Sequence, residues 1–442
     1  MKKPPGPRGH WLLGSLRERR RDALGFYLKM REQYGDIVGF RLGTMPVVML
    51  SHPKYAKHVL LDHPDRYTKG GMPERLRPAL GNGLLLSEGE FWLRQRRLMQ
   101  PAFHRERLAG LVETIAASAE KHFAGWQAQS SLDIAADMLK LTLGIAGKGL
   151  FGAELGGKAD AVGPALAVAL EEANRRLLAF FDVPISVPTP SNLRLRSAVK
   201  ALDEVVFEII EQRRRGQSAG NDLLTLLMEA RDEESGAAMD DRQLRDEVMT
   251  LFLAGHETTA SALAWLCYLL ASHPEEQERL RAEALSVVGD RPVRDADLPR
   301  LERLSQALNE AMRLYPPAWG IPRATRVDDE IDGYDVPRRT LVFVSTYVIH
   351  RHPEFWPSPD VFDPDRFSKQ RSEGRPRHAF LPFGTGQRTC IGGSFATVES
   401  LVTMATLLRR YRLLPVQEHP VEPLPLVVLR AKHGIMVRLE RI

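Results

Sequence analysis

A long stretch without proline, from Asp241 to Ala271, constrains the fold more than any other part of the sequence. Asp240 followed by Gln243 matches the capping box with which many helices begin. A helix of this length rises about 45 Å, so it must cross a whole domain. Its middle is apolar on nearly every side, which is typical of a helix buried at the centre of a helical domain.

Polar residues interrupt this apolar stretch at "AGHETT", residues 254–259. His256 and Glu257 are similar to the start of a zinc-protease motif, but the second histidine ligand is missing, so we exclude a zinc site. Gly255 weakens a helix interior, and Thr258 can donate a hydrogen bond to a carbonyl one turn back. Two interpretations stay open. The motif is either a polar stripe beside a water channel or a hydrated notch where a small molecule binds and protons arrive.

The segment "FGTGQRTCIG" holds Cys390, one of two cysteines in the chain. Glycines on both sides indicate a sharp turn or the close approach of a flat group. A helix is predicted to begin at about Gly393, and a helix N-terminus favours a thiolate. Three roles are open for Cys390: a small buried hydrophobe, a nucleophile that would need a histidine base, or a soft thiolate ligand for haem iron.

Composition narrows the class of protein. With 442 residues the chain has room for about three domains, but no interior Gly/Ser-rich or Pro-rich linker separates them, which favours one large domain with a smaller lobe. The net charge of +5 is spread among interspersed acids and bases, so no nucleic-acid partner is expected. Two cysteines cannot form a disulfide framework, which favours the cytoplasm. Since neither a signal peptide nor a run of about 18 apolar residues occurs, we expect a soluble protein without a stable membrane anchor.

Periodicity predicts a mainly α chain with a minor β lobe. Helical patterns cover residues 22–33, 89–127 and about 393–411, and the region up to 271 is mostly helical. Prolines in "RRLLAFFDVPISVPTPSN" interrupt that region. Strands are predicted at Ile37–Leu42, Val47–Leu50, "TLVFVST", "LPLVVLR" and "GIMVRLER".

Further motifs pair charged or aromatic side chains at helical spacing. In "NEAMR", Glu310 and Arg313 are about one turn apart and can form an ion pair. "FDPDRF" supplies Arg366, which can join them in a buried triad. In "FWLRQRR", Trp92 and Arg96 lie four residues apart. Each motif alone is more often a solvated face or part of a core.

Together the motifs resemble those of the cytochrome P-450 family, the haem-thiolate monooxygenases, and specifically its soluble bacterial members. "FGTGQRTCIGGSFA" resembles the haem-binding loop at each defining position, namely Phe383, Gly386, Arg388, Cys390 and Gly392. "AGHETT" is similar to the oxygen-activation motif, "NEAMR" to the ExxR motif, "FDPDRF" to the segment that completes the Glu–Arg–Arg triad, and "WLRQR" to the WxxxR motif. They occur in the family's order along the chain.

The resemblance implies a cytochrome P-450 fold with the long central helix over the haem. It implies a single catalytic domain over residues 1–442, whose β lobe lies mainly around 35–70 and 320–350 and includes the C-terminal strands. The implied cofactor is haem b, with Cys390 as the axial thiolate ligand of its iron. Other implied haem-binding positions are Arg388, Phe383, Gly386, Gly392, Trp92, Arg96 and Arg323, the arginines gripping the propionates.

On the side of the haem opposite the thiolate, the resemblance implies that Ala254 and Gly255 leave room for dioxygen. Glu257 and Thr258 are the implied catalytic residues and relay protons there. Glu310, Arg313 and Arg366 are implied to support the cysteine loop rather than to catalyse.

The implied reaction inserts one oxygen atom from O2 into a C–H or C=C bond of a small apolar substrate, such as a fatty acid, terpenoid or steroid. Four stretches are implied to line its pocket: residues 77–86, "LLAFFDV", "AWGIP" and "PLVVL". Electrons come from a separate ferredoxin or flavodoxin with its reductase, and a monomer is expected. Basic residues that can dock an acidic partner, or simply be solvated, are Arg94, Arg97, Arg105, Arg107, Arg371, Arg375 and Arg377.

Two alternatives remain within the same resemblance. One is a peroxygenase, or an isomerase or dehydratase of the same fold, against which the proton-delivering pair Glu257–Thr258 argues. The other is a haem protein that binds a ligand without catalysis.

Overall fold

The computed structural model describes residues 2–127, 130–150, 159–178, 183–216, 222–232 and 236–442. The chain forms two compact units. The mixed unit contains Met1–Gly70, Gln306–Cys390 and Glu422–Lys432. The helical unit contains Gly71–Ser305, Ile391–Val421 and His433–Ile442. Both predicted segments of the β lobe, 35–70 and 320–350, belong to the mixed unit, whereas the C-terminal strands are divided between the units.

Helices dominate the described residues, as the periodicity predicted. Those of the first half are α1 (Leu16–Arg21), α2 (Ala23–Tyr34), α3 (Pro53–Lys57), α4 (Met72–Leu80), α5 (Gly89–Met99), α6 (Arg105–Ala109), α7 (Val112–Ala124), α8 (Ile134–Ile145), α9 (Ala159–Leu178) and α10 (Pro190–Arg214). They are followed by α11 (Leu223–Glu229), α12 (Asp241–Ser272), α13 (Pro274–Val288), α14 (Glu302–Leu314), α15 (Thr346–Ile349), α16 (Lys369–Ser372) and α17 (Gly393–Leu408).

Strands occur in both units. They are β1 (Ile37–Leu42), β2 (Met45–Leu50), β3 (Tyr67–Thr68), β4 (Ser131–Asp133), β5 (Ile321–Thr325), β6 (Asp329–Ile331), β7 (Tyr334–Val336), β8 (Leu341–Val344), β9 (Tyr411–Pro415), β10 (Pro423–Pro425), β11 (Leu429–Ala431) and β12 (Met436–Arg441). The mixed unit holds a sheet of order β1-β2-β8-β5-β3, together with the pairs β6-β7 and β10-β11. The helical unit holds the sheet β4-β12-β9.

The apolar run in β2 is explained by burial of both faces of its sheet. Val48 and Leu50 pack in one core cluster, and Val47 and Met49 pack in another on the opposite face. A strand buried on both sides reads as continuously apolar rather than alternating. β2 pairs in parallel with β8 and antiparallel with β1. The predicted strand starting at Val47 was therefore right, although it begins two residues earlier, at Met45.

The central helix of the helical unit is α12, and its prediction is confirmed. The Asp240 side chain accepts the Gln243 backbone N–H, and the Gln243 side chain accepts the Asp240 N–H. α12 packs chiefly along α8 and also contacts α10, α17 and β9, and most of its residues are buried. The region before α12 is mostly helical, as predicted, and it also contains β4, a three-residue strand that was not predicted and that pairs with the distant β12.

The helix predicted over 393–411 ends three residues early, and Tyr411 instead begins β9. β9 pairs antiparallel with β12, and this pairing competes with continuation of the helix. None of the helices in the described ranges is long and apolar enough to span a bilayer.

Candidate functional site

The cysteine loop of the mixed unit is closed by its own backbone. Cys390 donates its backbone N–H to the carbonyl of Phe383 at 2.9 Å. Within the loop, the Thr389 hydroxyl donates to the carbonyl of Gly386 at 2.7 Å. Gly386 has a φ of +75°, and a Cβ there would lie 1.9 Å from the carbonyl oxygen of Leu60, so only glycine fits. These contacts hold the cysteine at a defined position.

The two cysteines differ in what they can bind. Cys267 on α12 is fully buried, its sulfur lies 3.8 Å from that of Met404, and burial raises the pKa of its thiol. Cys390 is exposed. Among the described residues, no group of three or more His, Cys, Asp or Glu is arranged to hold a metal ion. An accessible thiolate without further protein ligands fits a metal whose remaining ligands come from a macrocycle, as in haem.

A buried charge triad forms in the mixed unit, as predicted. Arg313 donates two hydrogen bonds to the carboxylate of Glu310, at 2.7 and 2.8 Å, and both side chains are fully buried. Arg366 Nε lies 3.3 Å from the same carboxylate. Breaking a buried pair of this kind strands a charge away from water and is strongly destabilising.

The triad is linked to the cysteine loop through His350, a residue that sequence reasoning missed. Arg313 donates to the carbonyl of His350 at 2.9 Å. The backbone N–H of Leu381 donates to the ring Nε2 of His350 at 2.8 Å, and Leu381 accepts the N–H of Gly384 at 3.2 Å. Burial, with the cations Arg313 and Arg351, lowers the pKa of His350 to about 3. The ring is therefore neutral and able to accept this hydrogen bond.

In the helical unit, α12 runs unbroken through "AGHETT", but its burial is interrupted there. Ala254 is exposed, and Gly255 and Thr258 are half-buried, whereas the residues around them are buried. The Thr258 hydroxyl donates to the carbonyl of Ala254 at 2.7 Å, as its backward bonding was predicted to do. Glu257 is 2% exposed. Because its one donor is engaged, the Thr258 oxygen presents its lone pairs as an acceptor.

The other predicted cofactor-binding residues are divided between elements of the two units. Trp92 is buried and Arg96 half-buried on α5 of the helical unit. Arg388 ends the short helical turn Gly386–Arg388 in the mixed unit. Arg323 lies on β5 of the mixed unit and donates to the carbonyl of Pro322 at 2.8 Å. Gly392 immediately precedes α17.

Two adjacent acids of α12 hold the loop between α4 and α5, a contact that the sequence did not reveal. Asp246 accepts the backbone N–H of Asn82 at 2.7 Å, and Glu247 accepts that of Leu84 at 2.9 Å. A Cβ at Gly81 would lie 1.9 Å from the Asp246 carboxylate, so the glycine permits this approach. The loop is part of the predicted substrate-lining stretch 77–86. We call this contact the loop clamp.

The loop clamp continues to α10 through Arg245. Its guanidinium donates to Asp246 at 2.9 Å and to Asp203 of α10 at 2.7 Å. Arg245 and Asp246 are each 8% exposed, so the arginine compensates a largely desolvated carboxylate. The charged residues Arg245, Asp246 and Glu247, immediately before the apolar run of α12, were the available signal for this contact.

A second missed residue is Glu399, on the helix that follows the cysteine loop. It is 1% exposed, and burial raises the pKa of its carboxyl well above the ordinary range. The nearby Thr259 hydroxyl offsets this rise only in part. The environment of Glu399 therefore disfavours the charged form of its carboxyl, which lies near Thr259 of α12. Glu399 is the one charged residue of its own helix, "GSFATVESLVTMATLL", and this was the signal in the sequence.

Two of the predicted substrate-lining stretches meet in the mixed unit. In "AWGIP", the Trp319 indole donates to the carbonyl of Leu426 at 2.7 Å, and Leu426 belongs to "PLVVL". The backbone N–H of Leu429 donates to the carbonyl of Pro317 at 3.0 Å. Most of "LLAFFDV", residues 179–182, lies outside the described residues.

The family profile described as Cytochrome P450 matches residues 4–438 of the chain. The chain belongs to the cytochrome P-450 family. The fold agrees, because the structure of the cytochrome P450DA heme domain superposes with a TM-score of 0.91 at 24% identity, covering 100% of this chain and 98% of that one.

Two relatives from Streptomyces resemble this P-450 over nearly its whole length. Cyclooctat-9-en-7-ol 5-monooxygenase of Streptomyces melanosporofaciens is 36% identical over 88% of this chain and 85% of its own. Pentalenene oxygenase of Streptomyces avermitilis is 32% identical over 93% of this chain and 92% of its own. This chain is accordingly a P-450 monooxygenase. It binds haem through a cysteine thiolate, and uses O2, an apolar substrate and electrons from a redox partner.

Proposed function

We propose that this P-450 oxidises a terpenoid, inserting one oxygen atom into a C–H or C=C bond. The observation that carries the proposal is its similarity to the two Streptomyces oxygenases. Their names denote an alkene and an unsaturated alcohol, both predominantly hydrocarbon. The stretches "AWGIP" and "PLVVL", which contact one another, are equally apolar. A hydrocarbon ligand suits such a lining, since apolar pockets bind by excluding water.

Cys390 is proposed as the haem ligand because it is the accessible cysteine and its loop is held in place. Arg388, Arg96, Arg323 and the Trp92 indole would bind the haem carboxylates, while Phe383, Gly386 and Gly392 shape the loop beside it. Bound haem supplies the activation of dioxygen. The protein's part is to orient this cofactor and to keep the thiolate charged.

Thr258 and Glu257 are proposed to move protons. The Thr258 oxygen accepts a hydrogen bond on the open side of the notch, since its own proton is directed to Ala254. Glu257, buried one residue away, would hold the next proton in the relay. Ala254 and Gly255 carry little or no side chain, which leaves space for dioxygen at the notch.

A ferredoxin or flavodoxin is the proposed electron donor, docking on a basic surface. Of the predicted basic residues, Arg105, Arg107, Arg371 and Arg377 are exposed. Arg97 instead pairs with buried Asp232, and the Arg375 guanidinium stacks 4.1 Å from the centre of the Trp356 ring. These two are engaged within the protein and are weaker candidates for docking. A cytoplasmic monomer is proposed; the absence of a disulfide between the two cysteines of the chain fits a reducing compartment.

A spectral screen tests the substrate class. Terpene hydrocarbons and alcohols, fatty acids and steroids are added separately to the haem-loaded protein, and the shift of the Soret band that accompanies displacement of water is measured. We expect terpenes to give the tightest binding and, with a ferredoxin chain and O2, a product one oxygen heavier. Tighter binding and turnover of fatty acids or steroids would contradict the terpenoid assignment.

Replacing Thr258 by alanine should uncouple electron use from product formation. The fraction of electrons recovered in product should fall at least about tenfold, because positioned proton transfer contributes about 100-fold or more to such steps. Product and NAD(P)H consumption are measured together. Thr259→Ala is the matched control, since Thr259 makes the same backward bond, to Gly255 at 3.1 Å, but is buried.

Unchanged coupling in the Thr258 variant would remove its assigned role. If hydrogen peroxide alone then supported turnover and the electron chain did not, the enzyme would be a peroxygenase.

A further inference from the structure

An exposed apolar turn lies close to the start of the chain. Trp11 is 76% exposed and Leu12 is 47% exposed, and Trp11 is the most exposed large apolar side chain among the described residues. Met45, the first residue of β2, is 42% exposed. Turn tips usually carry glycine, proline or small polar residues, which lose little by facing water. A tryptophan and a leucine at this position therefore need a partner to explain them.

The turn is held together by its own hydrogen bonds. His10 and Gly14 exchange backbone hydrogen bonds of 2.9 and 2.8 Å. The imidazole Nδ1 of His10 accepts the backbone N–H groups of Leu12 and Leu13 at 3.3 and 3.2 Å. The conformation that exposes Trp11 is thus built by specific contacts.

The same turn is fastened to the β1–β2 hairpin. The Arg41 guanidinium donates to the carbonyl of Trp11 at 3.2 Å. The backbone N–H of Ser15 donates to the carbonyl of Arg41 at 2.8 Å, and that of Gly43 to Leu13 at 2.9 Å. With its backbone tied to a sheet, the turn cannot fold its apolar side chains inward.

Positive charge is concentrated around this turn. The first 21 residues carry seven Lys and Arg and one acid, Glu18, a net charge of +6, whereas the whole chain is only +5. The exposed members of this set are Lys2, Lys3, Arg8, Arg17, Arg20 and Arg21. The remainder of the chain is therefore nearly neutral, and this one segment accounts for its basic character.

We propose that residues 8–21, the basic tip, bind reversibly to an anionic phospholipid surface. Trp11 and Leu12 would enter the headgroup level, a region that tryptophan favours, and the cations would lie against lipid phosphates. Peripheral binding requires this combination of apolar side chains and basic charge. The proposal is independent of the substrate, although a terpene-like compound would itself be concentrated in a membrane.

A lipid surface fits the basic tip better than a protein partner does. A specific protein interface buries on the order of 800 Å² on each side, with a packed apolar centre. Two or three exposed apolar side chains cannot supply that area, but they suffice to enter a lipid interface. The surrounding cations would also meet a continuous negative surface rather than a few matched carboxylates.

Vesicle binding of the full haem-loaded chain tests the proposal. Vesicles of phosphatidylcholine alone are compared with vesicles that also contain phosphatidylglycerol, by flotation. We expect binding to the anionic vesicles only, weakened by high salt. Trp11→Ser with Leu12→Ser should lower the partition coefficient about tenfold or more. Phe207→Ser with Leu193→Ser is the matched control, since both are exposed on α10.

Variants that remove positive charges measure the electrostatic contribution to vesicle binding. Arg20→Gln with Arg21→Gln should weaken binding to anionic vesicles about 25-fold, at about fivefold per cation. Arg196→Gln with Arg242→Gln, exposed positions of the helical unit, should leave it unchanged. Equal binding by the Trp11/Leu12 variant, or no binding to anionic vesicles, would overturn the proposal. So would self-association that the same variant abolishes, because the tip would then be a contact between copies.

Discussion

Cys390→Ala is expected to abolish the red-shifted Soret band that a thiolate-ligated haem shows when it is reduced and binds carbon monoxide. The monooxygenase activity of this variant should also fall below detection. The reason is that Cys390 is the accessible thiol of the chain, whereas the other cysteine is sealed in the core of the helical unit. The absorption spectrum of the reduced protein with and without carbon monoxide is the measurement.

Cys267→Ala is the control for this experiment. Cys267 lies on α12, its sulfur packs against Met404 of α17, and burial raises the pKa of its thiol. Its loss should therefore leave the band in place and lower the free energy of unfolding by about 1 kcal/mol. Circular dichroism of both variants shows whether each has folded. A folded Cys390→Ala protein that kept the band would contradict the assignment of the ligand.

Arg313→Met should lower the free energy of unfolding by about 3–5 kcal/mol, the usual result of breaking a buried ion pair. The substitution leaves the Glu310 carboxylate buried, with Arg366 3.3 Å away and the backbone N–H of Asp363 donating to it at 3.0 Å. It also removes the donor to the carbonyls of His350, Pro359 and Val361. Because His350 in turn holds Leu381, the cysteine loop should loosen as well. Thermal unfolding and the fraction of protein that retains thiolate-ligated haem are measured together.

The matched control exchanges an exposed cation for methionine. Lys200 lies 3.9 Å from Glu204 on α10, and the two side chains are 78% and 68% exposed. Lys200→Met should change stability by no more than about 0.5 kcal/mol, as is usual for a surface pair. If the two substitutions had similar effects, the triad would not have the supporting role assigned to it.

Features encoded within a few neighbouring residues could be predicted from the sequence. The capping box at Asp240 and the apolar run behind it specify α12 locally. The alternation of glycines around Cys390 indicates a tight loop, and the loop has that form. Glu310 and Arg313 are one helical turn apart, so their pairing follows from helix geometry.

Features that depend on distant contacts could not be predicted. β2 pairs with β8 and β4 pairs with β12, although each pair is separated by most of the chain. The division of the C-terminal segment, in which residues 422–432 join the mixed unit, leaves no local signature. Both strand pairings and the placement of residues 422–432 depend on which surfaces meet after the helices and strands have formed. Local sequence patterns do not predict those contacts.

In the candidate site, too, contacts between residues far apart in sequence could not be predicted. Its motif residues were identified, but His350, Glu399 and the loop clamp were not. The function of each depends on burial and on a partner far away in sequence, such as Leu381 for His350. An isolated acid in an apolar helix indicates that the carboxyl has a polar neighbour, but the sequence does not show which residue it is.

The loop clamp has a consequence for how such an enzyme can diversify. Asp246 and Glu247 grip backbone N–H groups of Asn82 and Leu84, not their side chains. Side chains at these two positions can therefore change during evolution without loss of either hydrogen bond, which keeps the path of the loop unchanged. The insertion of one residue between Glu247 and Thr258 is not tolerated in the same way. It would turn the two ends of α12 by about 100° relative to each other. We therefore expect related enzymes to differ by substitutions in the loop between α4 and α5, and to keep the length of α12 constant.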